Sequence, residues 1–433
     1  MERQTFLTGE ELQTVKQFIY AKAKTCIHEP EGILPFRFVT PSFAVEAGAD
    51  DDSDVARRST VGHYLQMYDW DACFFSQAAH LVGINDLFHD VIENFLSLKE
   101  ESGYIPRTVS PSKIWDKGDQ CKPFLCQTLW KEVSEKESEF KNLQKIVIEL
   151  KHYLEFFDDR RKHTSGLYHW KNVLESGVDN NLALLPPKEA AHSETHEAFL
   201  YPDDRLLAVD LNTYLVAEFR AFSKLAGHCG MNDLQDLYAA KADKLNNLIE
   251  ERLWSDSAGM FFNYDPDNEE LVEIRAWTGF MPALFGITTR ERTRRIIEEN
   301  ILKESEFLRP MGIASLSSSE QLYNNAKRGL YGRVLVCNWQ GPVWALSNVW
   351  IIRTLLREGY QAEALEISAR TVRNLLRDIQ ERGLMHESYD AENGSPVWAP
   401  KFMSWNIFAL ELIEILLDEL NILWRTFEFF CKN

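Results

Sequence analysis

The chain has 433 residues, 45% of them hydrophobic, and a net charge of -19. Length and apolar share suffice for a large buried core, while the negative charge repels nucleic-acid phosphates and anionic membranes, which argues against partners of either kind. Seven cysteines without CxxC spacing fit reduced thiols in a cytoplasmic protein; no basic-then-apolar leader opens the chain, and no run approaches the ~18 apolar residues of a membrane span.

Apolar residues recur at helical spacing along most of the sequence, so an all-α chain is expected. A first helix over 9–25 precedes an acidic run, Glu46 to Asp54, which suits a solvated loop or a lid over a site. Helices over 70–98 and 125–158 come next, the latter carrying the stripe Leu143, Ile146, Val147, Leu150, Leu154 and Phe157. Helices over 203–226 and 231–254 lead to Gly259–Tyr264, whose alternation suits one arm of a short hairpin. The last helices are expected over 287–303, 343–358, 360–382 and 403–426. Among these, Val349, Ile352, Leu355 and Leu356 form a stripe, and Gly383 is placed as a C-cap. No Pro/Ser-rich linker and no internal repeat divides residues 1–433, so one domain is expected.

Two carboxylate segments in aromatic surroundings point to glycoside cleavage, which takes one carboxyl group to protonate the leaving oxygen and another to activate water or attack. Asp179 stands in a loop after Gly177, preceded by Tyr168-His-Trp170, where partial desolvation would suit a general acid. Glu387 follows the helix stop at Gly383. The same residues also suit plainer roles, Asp179 as a turn or cap and Glu387 as an exposed loop glutamate.

Around them, Tyr68-Asp-Trp-Asp71 joins stacking groups to hydroxyl acceptors. Gln127 and Trp130 share a helix face at i, i+3, Trp339-Gln340-Gly-Pro-Val-Trp344 offers indoles and an amide, and Trp398 and Trp405 follow Glu387. Core packing and helix capping are the alternative uses of these residues. Because such segments recur at helix starts, they are expected at one end of a helical toroid, with free backbone N–H groups nearby. No dinucleotide, Walker, GxSxG or HExxH motif is present. His192 and His196 at i, i+4 lack a third ligand, so neither a metal nor a cofactor is expected.

Tyr68-Asp-Trp-Asp71, Glu175-Ser-Gly-Val-Asp179-Asn, Trp339-Gln-Gly-Pro-Val-Trp344, Glu387-Ser-Tyr389 and Phe402-Met-Ser-Trp405, in this order, resemble the motifs of glycoside hydrolase family 63 and its mannosylglycerate and glucosylglycerate hydrolases. Trehalases are more distantly similar. The resemblance covers about residues 65–410. It implies an (α/α)6 barrel with long loops at the active-site end, and hydrolysis with inversion, with Asp179 as acid and Glu387 as base about 6.5–9.5 Å apart. Trp70, Gln127, Trp339 and Tyr389 would hold the sugar ring.

The short chain looks most like hydrolases of small compatible solutes, which implies an α-linked mannosyl or glucosyl glycerate as its small-molecule substrate. The glycerate carboxylate would need a cation, and Arg107 and Lys401 are the candidates, each equally suited to a surface role. Where family members often carry arginine, an aromatic or methionine, and serine, this chain has Gln340, Val178 and Asn181. The rival readings are an α-glucosidase or trehalase of a neutral disaccharide, a sugar epimerase needing paired histidines, and a carbohydrate-binding relative without turnover.

Overall fold

The computed structural model describes residues 7–43, 64–115, 118–135, 142–184, 206–326 and 337–432. The long helices are α1 (Gly9–Ala23), α2 (Asp69–Ala78), α3 (Leu87–Ser97), α4 (Leu125–Glu135), α5 (Leu143–Arg160), α6 (Val209–His228), α7 (Asn232–Arg252), α8 (Ala345–Glu358), α9 (Gln361–Arg382) and α10 (Ala409–Lys432). Their burial divides them into two kinds. In α2 every residue but Gln77 is buried, and in α8 Arg353 is the one exception among Ala345–Leu355. By contrast, α7 buries the single stripe Tyr238, Ala242, Leu245 and Ile249. Helices buried all round belong inside, and one-sided ones outside.

The packing closes the inner set into a ring. α2 packs on α4, α4 on α6, α6 on the short helix Met281–Leu284, that helix on α8, α8 on the 3-10 turn Trp405–Phe408, and that turn back on α2. An outer layer of α1, α3, α5, α7, Arg290–Ile296 and α9 covers it, so the chain is an (α/α)6 barrel, as expected. One continuous apolar cluster runs from Leu7 to Ile413. Five inner aromatics plug the ring: Phe74 meets Phe124 (4.9 Å), then Tyr214 (4.8 Å), Phe285 (5.4 Å), Trp350 (5.4 Å) and Phe74 again (5.3 Å). Neighbouring inner helices are also tied by charge. The buried Glu218 of α6 accepts the backbone N–H groups of Cys126 (2.7 Å) and Gln127 (3.1 Å), donors that the start of α4 leaves unpaired.

Two expected helices are each broken. The 70–98 segment stops at Ala78, passes a 3-10 turn and left-handed Gly83 and Asp86, and restarts at Leu87. The 125–158 segment splits into α4 and α5, the second beginning after left-handed Asn142. An inner helix must reverse into its outer partner, and periodicity alone does not register a reversal between two helices of like pattern. Gly259–Tyr264 serves two hairpins: Met260–Phe261 pairs with Trp254–Ser255, and Asn263–Asp265 with Glu270–Val272.

Two small sheets deliver inner helices to one end of the barrel. In the first, β1 (Met67–Tyr68) pairs with β2 (Thr108–Ser110), which pairs with β3 (Lys113–Ile114), and Tyr68 is the N-cap of α2. In the second, β4 (Val343–Trp344) pairs with β5 (His386–Tyr389), which pairs with β6 (Pro396–Pro400), and Trp344 is the N-cap of α8. Among the described residues, no helix is long and apolar enough to cross a membrane.

Candidate active site

A small recess lies at that end, lined by Pro41, Tyr64, Tyr68, Trp70, Asp71, Arg107, Gly177, Asp179, Cys337, Glu387, Phe402 and Trp405. Seven of the residues singled out from sequence therefore meet: Tyr68, Trp70, Asp71, Arg107, Asp179, Glu387 and Trp405. Their chain separations reach hundreds of residues, so each carrier segment must be fixed independently.

Asp179 is carried by a turn built around Glu175. The helical turn Val173–Ser176 is N-capped by Asn172, whose side chain accepts from the Glu175 N–H. The Glu175 carboxylate, fully buried, accepts from Arg161 (Nη2 at 2.7 Å, Nε at 3.0 Å) and from the backbone N–H groups of Gln120 (2.8 Å) and Lys171 (2.6 Å). Charge-assisted bonds of this density fix a short turn that propensity alone would not hold. Gly177 then turns left-handed (φ 77°). A Cβ there would come within 2.7 Å of Lys122 Cε and 2.8 Å of Trp70 Cζ2, so glycine lets the loop press against both. After Asp179, Asn180 accepts from the Trp339 N–H (2.6 Å) and its carbonyl receives the Gln340 amide (3.2 Å). Cys337 hydrogen-bonds Asp179 and receives Trp339 Nε1 at 3.2 Å.

Glu387 sits mid-strand on β5 and is 3% exposed. The strand rests on Asp378 of α9, which accepts from the His386 N–H (2.9 Å), contacts His386 Nδ1 (2.8 Å) and receives the Tyr389 hydroxyl (3.0 Å). Tyr64 Oη donates to Glu387 Oε2 at 3.2 Å. Burial first, then the nearby Asp71 and Asp179, push the Glu387 carboxyl well above its ordinary range, and the Tyr64 bond opposes them.

On the α2 side, Asp69 is engaged by Lys122, leaving Trp70 and Asp71 to face the recess. Burial raises Asp71 to about 7, against the lowering effects of Ser404, Lys122 and Arg107. Its Oδ1 finds no hydrogen-bond partner, and neither does Trp405 Nε1. Buried polar atoms are rarely left so in a native fold, and here one acceptor and one donor both belong to residues lining a cavity. Arg107, itself buried, donates through Nη1 to the Leu174 carbonyl of the Asp179 segment.

The other residues singled out lie off the recess lining. Gln127 spends its amide on the carbonyls of Pro123 (2.7 Å) and Tyr214 (3.5 Å), and Trp130 lies under Lys224. Trp339 is sandwiched between Trp344 (3.7 Å, 3°) and Trp277 (5.4 Å, 12°), so both its faces are used, and Gln340 braces Asn180. Tyr389 gives its hydroxyl to Asp378 at 3.0 Å, beside a bulge in which β6 carries one extra residue opposite Ser388–Tyr389. Trp398 reaches the site one step removed, through Tyr64. Lys401, left-handed at φ 63°, is outside the lining, while its neighbour Phe402 is inside. His192, His196 and the acidic run 46–54 lie outside the described residues. Among the described residues, no cluster of His, Cys, Asp and Glu is placed to hold a metal ion.

Tyr64, Gly177, Cys337, Pro41 and Phe402 were missed. Gly177 and Phe402 lie within the quoted motifs and Tyr64 stands four residues before Tyr68, so adjacency was a usable signal for these three; nothing local marks Cys337 or Pro41.

The neutral trehalase of Saccharomyces cerevisiae shares the fold with a TM-score of 0.56 at 15% identity, over 81% of this chain and 72% of that one. A GH63 mannosylglycerate hydrolase from Thermus thermophilus, in complex with Tris and D-glycerate, superposes with a TM-score of 0.64 at 17% identity, covering 92% of this chain and 99% of that one. In sequence, a cytosolic neutral trehalase of Kluyveromyces lactis is 20% identical over 263 residues, 59% of this chain but 33% of that protein. The chain thus spans about a third of the length of that curated relative. The family model for the mannosylglycerate hydrolase MGH1-like glycoside hydrolase domain matches residues 64–405, and the chain belongs to that family.

Proposed function

We propose that the protein is an inverting glycoside hydrolase that cleaves a small α-linked glycosyl glycerate, 2-O-mannosyl or 2-O-glucosyl glycerate, to hexose and glycerate. The observation that carries this reading is the recess itself, which gathers Asp179 and Glu387 with the indoles of Trp70 and Trp405 around one small space. Asp179 protonates the glycerate oxygen as the bond breaks, and Glu387 takes a proton from the water attacking the opposite face. The free Oδ1 of Asp71 and Nε1 of Trp405 supply an acceptor and a donor to sugar hydroxyls. Arg107 offers the cation for the glycerate carboxylate. The reading needs no cofactor and treats residues 1–433 as one catalytic domain. Free buried thiols such as Cys26, Cys73 and Cys121 fit a cytoplasmic setting.

A neutral disaccharide is the second reading, favoured by the trehalase relative. The test is hydrolysis of mannosylglycerate, glucosylglycerate, trehalose and isomaltose, with the freed anomer followed by NMR. Glycerate with a β-sugar is expected. Activity confined to the neutral sugars would replace the substrate, and release of the hexose of a glycosyl glycerate as its α-anomer would remove the inverting mechanism.

A further inference from the structure

Glu387 faces a difficulty that the proposed base role must solve. A base must start as a carboxylate, yet this one is 3% exposed and shares its recess with two other carboxyl groups, Asp71 at the start of α2 and Asp179 on its loop. Cys337 and Arg107 line the same space, whereas His386 and Tyr389 on its own strand are committed to Asp378. Tyr64 Oη donates a hydrogen bond to the Glu387 side chain at 3.2 Å.

The direction of that bond is set from behind. Trp398 Nε1, on β6, lies 3.2 Å from the same Tyr64 oxygen. An indole N–H donates and never accepts, so Trp398 occupies a lone pair of Tyr64 and leaves its O–H to point at Glu387. A hydroxyl that accepts a hydrogen bond is polarised into a stronger donor. The ring is held edge-on by Tyr68 (5.4 Å, 82°) on one side and Phe402 (5.9 Å, 81°) on another, so the hydroxyl has little freedom to swing. Burial, then Glu387 itself, pushes the phenol's own ionisation further above its ordinary range, so the proton stays on Tyr64 and remains available to donate.

We propose that Tyr64, oriented by Trp398, is a positioning residue that keeps Glu387 ionised and fixed in the recess; this rests on the reading of Glu387 as the base. The chain Trp398 to Tyr64 to Glu387 supplies from protein groups the hydrogen bond that bulk water gives an exposed carboxylate. It also predicts an order: removing the Tyr64 hydroxyl abolishes the bond to Glu387, whereas removing the Trp398 N–H only weakens it.

The test compares wild type, Tyr64→Phe and Trp398→Phe. In kcat/KM against pH, the acidic limb is expected to move up by about one unit in Tyr64→Phe, a tenfold change in the ionisation constant, and by less in Trp398→Phe. A merely structural role would lower the profile at every pH without moving the limb, and that result overturns the proposal. If wild type hydrolyses none of the test glycosides, the proposed function fails separately. The inference is then read in protein labelled with ¹³C at the glutamate carboxyl, with the Glu387 signal identified by its loss in Glu387→Gln. A higher titration midpoint in Tyr64→Phe than in wild type supports the relay, and equal midpoints overturn it.

Discussion

The Lys122 ammonium lies 3.0 and 3.1 Å from the two carboxylate oxygens of Asp69, and the Lys122 backbone N–H donates to the same carboxylate at 2.9 Å. Both side chains are sealed from solvent. The pair joins the start of α2 to the segment entering α4, and Lys122 also stands 4.8 Å over the Trp70 ring. Asp69 for Trp70 and Asp71, Glu175 for Asp179, and Asp378 for Glu387 repeat one device: a buried carboxylate with several donors fixes the segment that carries a recess residue.

Breaking the first anchor strands a buried charge. Lys122→Met is expected to cost ~3–5 kcal/mol in urea unfolding, with the double variant Asp69→Asn/Lys122→Met recovering part of the loss. A loss in the double variant equal to the sum of the Asp69→Asn and Lys122→Met losses would show that the pair has no coupling.

Two glycines separate backbone strain from collision. Gly383 is left-handed (φ 69°) with nothing within 4 Å of a built Cβ, so Gly383→Ala should cost about 1–2 kcal/mol with turnover kept. At Gly177 the same backbone cost is joined by contact with Lys122 and Trp70, so Gly177→Ala should destabilise further and reduce turnover as the Asp179 loop is pushed off. Matching stability losses with full activity in both would contradict this account of the loop.

Asp71 carries a pH signature. Its carboxyl is raised from 3.8 to about 7, chiefly by burial. The folded protein therefore keeps a proton that the unfolded chain releases between about pH 4 and 7, so this group's contribution to stability falls as pH rises through that window and is level above it. Asp71→Asn removes the burden. Its stability should gain on wild type with increasing pH, by on the order of a few kcal/mol at pH 8, while turnover falls. Denaturation at several pH values checks this, and a pH-independent difference would refute it.

The two cations considered for glycerate now differ in standing, since Arg107 lines the recess and Lys401 is outside its lining. Arg107→Met should lower kcat/KM for a glycosyl glycerate by about 10–100-fold relative to a neutral disaccharide. Lys401→Met should leave that ratio unchanged. Because Arg107 also holds the Leu174 carbonyl, the ratio between substrates is the informative quantity, not the absolute rate.

Local pattern determined what depends on near neighbours in the chain. The apolar stripe of α5, the left-handed stop at Gly383 and the placing of Tyr68, Asp71 and Trp405 at helix starts are all relations among residues a few positions apart, and they could be read directly. Tertiary structure alone decided which aromatic and polar groups face the recess. Trp339 gives its faces to Trp277 and Trp344, and Gln127 gives its amide to Tyr214, 87 residues away. Tyr389 gives its hydroxyl to Asp378, 11 residues back, while Tyr64 reaches across 323 residues to Glu387. An indole or a hydroxyl has the same local sequence signature whether it meets a ligand or another side chain, because that choice is made by contacts formed only when the ring of helices closes.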